Sequence, residues 1–328
     1  MKNALIFGVT GQDGAYLSKF LLDKGYNVSG TFRRTSHKCF ESLDQLQIFD
    51  QVNRIKADVT DPSSIQSAIR QSQPDEIYNL AAQSFVGASF QQPILTADIT
   101  AIGTLRVLDA LKENASDAKF YQASASEMFG NSPGIKNENS AFKPRSPYGT
   151  AKVFAHQIAN HYREAYNIFA CCGILFNHES CFRGIEFVTR RISWNLARIK
   201  FKKIEKFTLG NIHARRDWGF AGDYVESMWL MLQQDKPDDY IVATGESHSV
   251  EEFLTLASEY AGLGDWHDFV EIDESNMRPT DIDELIGDSS KAREQLGWKP
   301  KMKFNDIVKH MVEYDMNYCK LRIEQFGN

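Results

Sequence analysis

Short apolar runs alternate with stretches of helical spacing through the first half of the chain. Residues 4–8, Ala-Leu-Ile-Phe-Gly, form an apolar run of strand length. Residues 13–24 place Leu17, Phe20 and Leu21 on one helical face. Residues 28–32 predict a second strand and residues 55–57 a short third. Pro62 suits the first turn of a helix running to Arg70, because its missing N–H would have no partner there. The pattern then predicts a strand at 76–81, a helix at 102–112, a strand at 119–123, a long helix at 146–166 opened by Pro147, and a sixth strand at 168–175. Strand and helix in strict alternation predict an α/β fold with a doubly wound parallel sheet, since parallel strands need crossover connections.

The second half is less regular. It predicts helices at 187–203, 223–233 and 249–261 and a strand at 206–209. There is no internal repeat, low-complexity tract or Pro/Gly-rich linker. At 328 residues the chain exceeds the size at which one core stops growing, so two lobes are expected, woven together. The boundary falls near residue 180, with segments near 210–235 returning to the first unit (1–180) and residues 181–328 forming most of a smaller α/β lobe.

Composition adds exclusions. The chain is 42% hydrophobic and 24% charged, with a net charge of -6 from 43 acids and 37 bases. A weakly acidic chain lacks the basic footprint of a nucleic-acid binder, so no such partner is expected. No apolar stretch is long enough for a bilayer, and the run after Lys2 and Asn3 is too short for a secretory signal, so a cytoplasmic enzyme is expected. Five cysteines without a C-x-x-C pair fit reduced thiols and no metal site.

Between the first strand and helix lies Gly8-Val9-Thr10-Gly11-Gln12-Asp13-Gly14. Glycines let backbone approach a pyrophosphate, and the helix start offers unpaired N–H groups. The G-x-x-G-x-x-G spacing is that of short-chain dehydrogenases, on a Rossmann sheet. The second strand ends in Arg33-Arg34-Thr35-Ser36, where an NAD enzyme would carry an acid. Guanidinium groups fork onto phosphate oxygens, so the 2′-phosphate of NADP is expected. Asp58, after the third strand, either accepts from the adenine amine or caps the next helix.

Among 12 tyrosines only Tyr148 has a lysine at +4, Lys152. In a helix the two share a face, where an ammonium would lower the Tyr pKa and let it take a proton from a sugar hydroxyl.

Six motifs in order carry a more specific resemblance: Gly-Gln-Asp-Gly at 11–14, Tyr-Asn-Leu-Ala-Ala-Gln-Ser at 78–84, Pro-Arg-Ser-Pro-Tyr-Gly at 144–149, Leu-Phe-Asn-His-Glu-Ser at 175–180, Arg-Arg-Asp-Trp-Gly at 215–219 and Arg-Pro-Thr at 278–280. Together they resemble the GDP-mannose 4,6-dehydratases of the extended short-chain dehydrogenase/reductase family. The resemblance implies a lyase of deoxysugar biosynthesis that oxidises C4, eliminates water across C5 and C6, and returns hydride to C6. It implies a 1–180 unit for NADP and a 181–328 lobe for GDP-mannose or a close GDP-sugar. Cofactor contacts implied are Gly8, Thr10, Gly11, Gln12, Asp13, Gly14, Arg33, Asp58, Val59, Leu80, Ala82, Ser84, Tyr148, Lys152, His178 and Arg183. Implied substrate contacts are Ser84, Glu127, Asn177, Arg191, Arg216 and Arg278, with Arg191 in place of the usual Lys. A homodimer or homotetramer, built through the loop at 34–41, is implied as well.

A second position departs from the family, in the acid/base segment. Ser-Thr-Ser-Glu is expected, and the chain reads Ser124-Ala125-Ser126-Glu127. The missing hydroxyl would bond the reacting sugar hydroxyl, so its loss predicts a weaker first oxidation. Three accounts stand: an introduced change that traps substrate, replacement of the hydroxyl by Ser124, Ser126 or a water, or a divergent member with altered chemistry. Glu127 is retained, in the place of the acid/base that serves C5 and C6. Rival readings are a 4-epimerase, a dehydrogenase, a GDP-heptose dehydratase, and a silent binding protein favoured only by Ala125.

Overall fold

The computed structural model describes residues 1–36, 39–277 and 279–326. Eleven strands carry the account. They are β1 (Asn3–Phe7), β2 (Asn27–Phe32), β3 (Asn53–Lys56), β4 (Glu76–Asn79), β5 (Lys119–Ala125), β6 (Ala170–Leu175), β7 (Asn177–Glu179), β8 (Phe207–Leu209), β9 (Arg215–Arg216), β10 (Trp218–Phe220) and β11 (Asp239–Val242). Seven form one parallel sheet in the order β11-β6-β5-β4-β1-β2-β3. The strand order reverses between β1 and β4, which opens a crevice beyond their C-terminal ends.

The sheet is the doubly wound one the alternation predicts. Its strands are buried on both faces, with Leu5 and Phe7 in one apolar cluster and Ala4 and Ile6 in the other. That two-sided burial explains why they read as continuous apolar runs. Local chemistry sets several ends. The long helix, Pro147–Tyr166, starts where Ser146 Oγ accepts from Gly149 N at 3.0 Å, with Pro147 in the first turn. It stops at Asn167, whose φ of 54° is left-handed, so β6 begins at Ala170 and not at 168. The helix Pro62–Ser72 is capped by Asp61, which accepts from Ser63 N at 3.0 Å. Asp58 therefore does not cap that helix; its carboxylate accepts instead from Thr60 N and Oγ1 at 2.9 and 2.8 Å.

Past residue 180 the chain builds a second core. Ile192 and Leu196 pack with Phe207, Leu209, Trp218, Phe253, Leu254, Val308 and Met311. These come from the helices Val188–Lys200, Val250–Ala261 and Phe304–Phe326 and from β8 and β10. The helix Ala221–Gln233 packs on the first helix, Gln12–Asp23, and β11 follows it into the main sheet. The chain thus crosses back before completing the second lobe. Among the described residues, no helix is long and apolar enough to cross a membrane.

Candidate active site

A cleft of about 570 Å³ lies over the strand-order reversal, between the two lobes. Of the residues expected from sequence, it gathers Gly8, Thr10, Gly11, Gln12, Asp13, Gly14, Leu80, Ala82, Ser84, Ala125, Glu127, Tyr148, Lys152, Asn177, His178, Arg183, Arg191 and Arg216. Three expected cofactor contacts are not in its lining. Arg33 is exposed at the end of β2, Asp58 is held by Thr60, and Val59 is packed in the core below the sheet. Arg278 lies outside the described residues.

The first turn is built for close approach. A Cβ on Gly14 would stand 2.4 Å from the Gly8 carbonyl oxygen, so only glycine lets the helix start so tightly against β1. Gly11 is the opposite case. A Cβ there would meet nothing nearer than 3.6 Å and would project toward the cleft, where an anion can sit against backbone. No side chain caps this helix, so its first amides are open to such an anion. The turn fits the pyrophosphate of a dinucleotide.

Tyr148 and Lys152 stand on the cleft face of the long helix, nearly buried. A Cβ on Gly149 would lie 2.8 Å from the Glu127 carbonyl oxygen, so the helix start rides directly on the segment that carries Glu127. The Lys152 ammonium donates to Ala123 O at 2.7 Å and lies 5.8 Å from the Tyr148 ring centre. Burial pushes its pKa down to about 8, against the pull of Asp13. The Tyr148 hydroxyl moves the other way from the sequence expectation. Burial and then Glu127 raise its pKa above the ordinary value of 10, and Arg183 is the cation that acts against them. Lys152 is engaged by a backbone carbonyl.

The strand that precedes Glu127 shows what replaces nothing at Ala125. Ala125 is buried with Val86 and Tyr148, and Phe90 packs against them. Ser124 is not a spare hydroxyl, because its Oγ is bonded to His156 Nδ1 at 3.0 Å. His156 in turn faces Asp239, with Cys172 close by, in a buried group behind the cleft. Asp239 there is also ion-paired with Arg163. All five cysteines are free thiols.

On the far side, Arg191 reaches Thr208 Oγ1 at 3.4 Å. Arg216 on β9 donates to Arg215 O and Ile282 O and pairs with Asp281 at 3.3 Å. Arg183 pairs with Glu179 at 3.3 Å and lies 3.6 Å over the Phe187 ring. Two acids of this wall, Glu179 and Asp281, were not singled out as site residues, although Glu179 lies inside the motif at 175–180 and Asp281 directly follows the one at 278–280. Their signal was a buried partner for an arginine, which only the fold reveals.

A Tyr–Lys helix facing a phosphate-binding turn on this sheet defines an enzyme of the short-chain dehydrogenase/reductase type. Residues 5–311 match the family described as GDP-mannose 4,6 dehydratase. A protein named GDP-mannose 4,6 dehydratase 1 from Arabidopsis thaliana is 52% identical over 97% of this chain and 91% of its own length. The Homo sapiens GDP-mannose 4,6 dehydratase is 45% identical over 97% and 92%. Among solved structures, a dTDP-glucose 4,6-dehydratase from Bacillus anthracis in complex with NAD shares the fold, with a TM-score of 0.84, 19% identity and 98% coverage of both chains. The chain belongs to the GDP-mannose 4,6-dehydratase family, a family of hydro-lyases.

Proposed function

We propose that this enzyme uses NADP to convert GDP-mannose to GDP-4-keto-6-deoxymannose. The observation that carries the reading is the single cleft that joins an uncapped phosphate turn, the Tyr148–Lys152–Glu127 group and the basic wall of Arg191 and Arg216. A bound nicotinamide dinucleotide supplies the reversible hydride store that a dehydration without net redox change requires.

The chain's own residues manage protons and position. Tyr148 acts as its phenolate, a form that Lys152, Arg183 and the positive charge of an oxidised nicotinamide would favour against burial, and takes the proton of the C4 hydroxyl as C4 becomes a ketone. The ketone acidifies the C5 proton, which the Glu127 carboxylate removes. The C6 hydroxyl leaves as water with the proton that Glu127 has gained. Hydride at C6 and, at C5, the proton that Tyr148 took from the C4 hydroxyl then saturate the C5–C6 double bond, which restores both groups. Arg191 and Arg216 bind the GDP diphosphate through charge-assisted hydrogen bonds, and the family resemblance assigns Asn177 and Arg278 to the same ligand. Ser84 lies at the mouth of the turn and serves both ligands.

The assay is mass spectrometry of GDP-mannose after incubation. Loss of one water supports dehydration; an unchanged mass with altered sugar stereochemistry means epimerisation and contradicts it.

NADP is preferred over NAD because Arg33 and Arg34 stand exposed at the end of β2, where a guanidinium can fork onto the oxygens of a 2′-phosphate. Parallel titration with both dinucleotides checks this, and equal affinity or tighter NAD contradicts it. Residues 1–180 with the returning stretch near 210–235 form the dinucleotide unit, and most of the remainder forms the sugar-nucleotide lobe. The enzyme is a cytoplasmic homodimer or homotetramer; a monomer by light scattering at micromolar concentration contradicts the assembly.

A further inference from the structure

Asp13 poses a problem for the phosphate turn. It is the second residue of the first helix, and its carboxylate lines the cleft where an anionic dinucleotide belongs. A carboxylate there both repels phosphate and competes for the positive end of the helix. The structure shows how that charge is met. His178 Nε2 lies 3.0 and 2.9 Å from the two Asp13 oxygens, and Nδ1 lies 2.8 Å from Phe176 O.

A carbonyl only accepts, so Nδ1 carries hydrogen; with Asp13 ionised, Nε2 carries one as well and the ring is an imidazolium. Neither nitrogen is left to bond a phosphate. The ring is stacked on Tyr224 at 4.8 Å, and the two charged side chains are only 12% and 19% exposed.

The surrounding charges agree. Burial works against an ionised Asp13, yet His178, then Arg183 and Lys152, hold its carboxyl below the usual range. Burial also opposes a charged His178, and Asp13 outweighs it and raises the ring's pKa, with Arg183 opposing. The neighbouring turn residue is latched to the same strand. Gln12 Nε2 donates to His178 O at 2.9 Å, and Ser180 Oγ donates to Gln12 Oε1 at 2.8 Å.

We propose that His178 acts as the buried counter-ion of Asp13, and that this pairing, and not a direct contact from the imidazole, is what the turn requires of residue 178 to bind a dinucleotide. The inference rests on the nicotinamide-cofactor reading above. His178 is thus a positioning and charge-balancing residue, and it joins the phosphate turn to β7, the strand that leads into the second lobe.

The test is a calorimetric titration of NADP and NAD at pH 8 against four proteins: wild type, His178→Gln, Asp13→Asn and the double variant. His178→Gln leaves the Asp13 charge uncompensated and is expected to weaken both dinucleotides on the order of tenfold or more, since an unpaired like charge beside a bound anion is costly. Asp13→Asn alone is expected to keep or tighten binding. The double variant is expected to return to within a few-fold of wild type, with the NADP-to-NAD ratio unchanged throughout. His178→Asn, read in the same way, carries the test if His178→Gln does not fold. A double variant as weak as His178→Gln overturns the proposal, because the ring would then be a direct ligand. Unchanged binding by His178→Gln overturns it too. Wild-type protein that binds neither dinucleotide overturns the cofactor reading, and this inference with it.

Discussion

At the residue scale, the position that most affects the chemistry is a missing atom group. Ala125 packs against Tyr148 in the wall of the cleft, and the hydroxyl of Ser124 beside it is bonded to His156. Ser124 therefore does not substitute for the lost threonine hydroxyl. Ala125→Thr is expected to raise turnover on GDP-mannose on the order of tenfold to a thousandfold, because the restored group acts on the C4 hydroxyl in the transition state. GDP affinity should be unchanged, which separates this effect from a general repair of the fold. No gain in turnover means that the site has re-formed around alanine for another sugar.

Which residues meet in the cleft was largely legible in the sequence; their electrostatic balance was not. Tyr148 and Lys152 show in a four-residue spacing, and the glycines of the turn in a strand–turn–helix setting. The sign of the Tyr148 shift depends on burial first, then on Glu127 and Arg183, which arrive from other segments of the chain. Local spacing holds no record of them.

At the scale of elements, periodicity recovered strands with long apolar runs and failed where an element is short or owes its form to the fold. The sheet strand β11 has four residues, Asp-Tyr-Ile-Val, and shows no alternation because both its faces are covered. The last helix, Phe304–Phe326, was not read either, although Ile307, Val308, Met311 and Val312 mark one apolar face.

The turn before the first helix offers a test of what its glycines do. Gly14→Ala forces a Cβ to 2.4 Å from Gly8 O and is expected to cost about 1–3 kcal/mol of stability, read as a lower urea midpoint. Gly11→Ala meets no such clash, so its stability should be near wild type while dinucleotide binding falls sharply. Equal loss of stability in both variants would mean that the Gly11 side of the turn is packed against protein and does not serve a ligand.

At the scale of the whole molecule, two cores share one chain that crosses between them, and the cleft is their seam. The sheet and its helices supply the phosphate turn and the Tyr–Lys helix; segments past residue 180 supply Arg191 and Arg216. A reaction that removes hydride from one carbon of a sugar and returns it to another needs such an arrangement, with the sugar held still between the two lobes. Glu127→Gln should separate the halves of that reaction. C4 oxidation should persist, visible as slow absorbance of reduced dinucleotide, while water loss stops; continued water loss would move the C5 base elsewhere.

The central claim is that hydride leaves C4 and comes back at C6 within one cleft. GDP-mannose carrying deuterium at C4 tests it most directly, with the product read by mass spectrometry and NMR. The expected product is lighter by one water and retains the deuterium, now on C6. A product that has lost water without the deuterium at C6, or a substrate recovered unchanged, would contradict it.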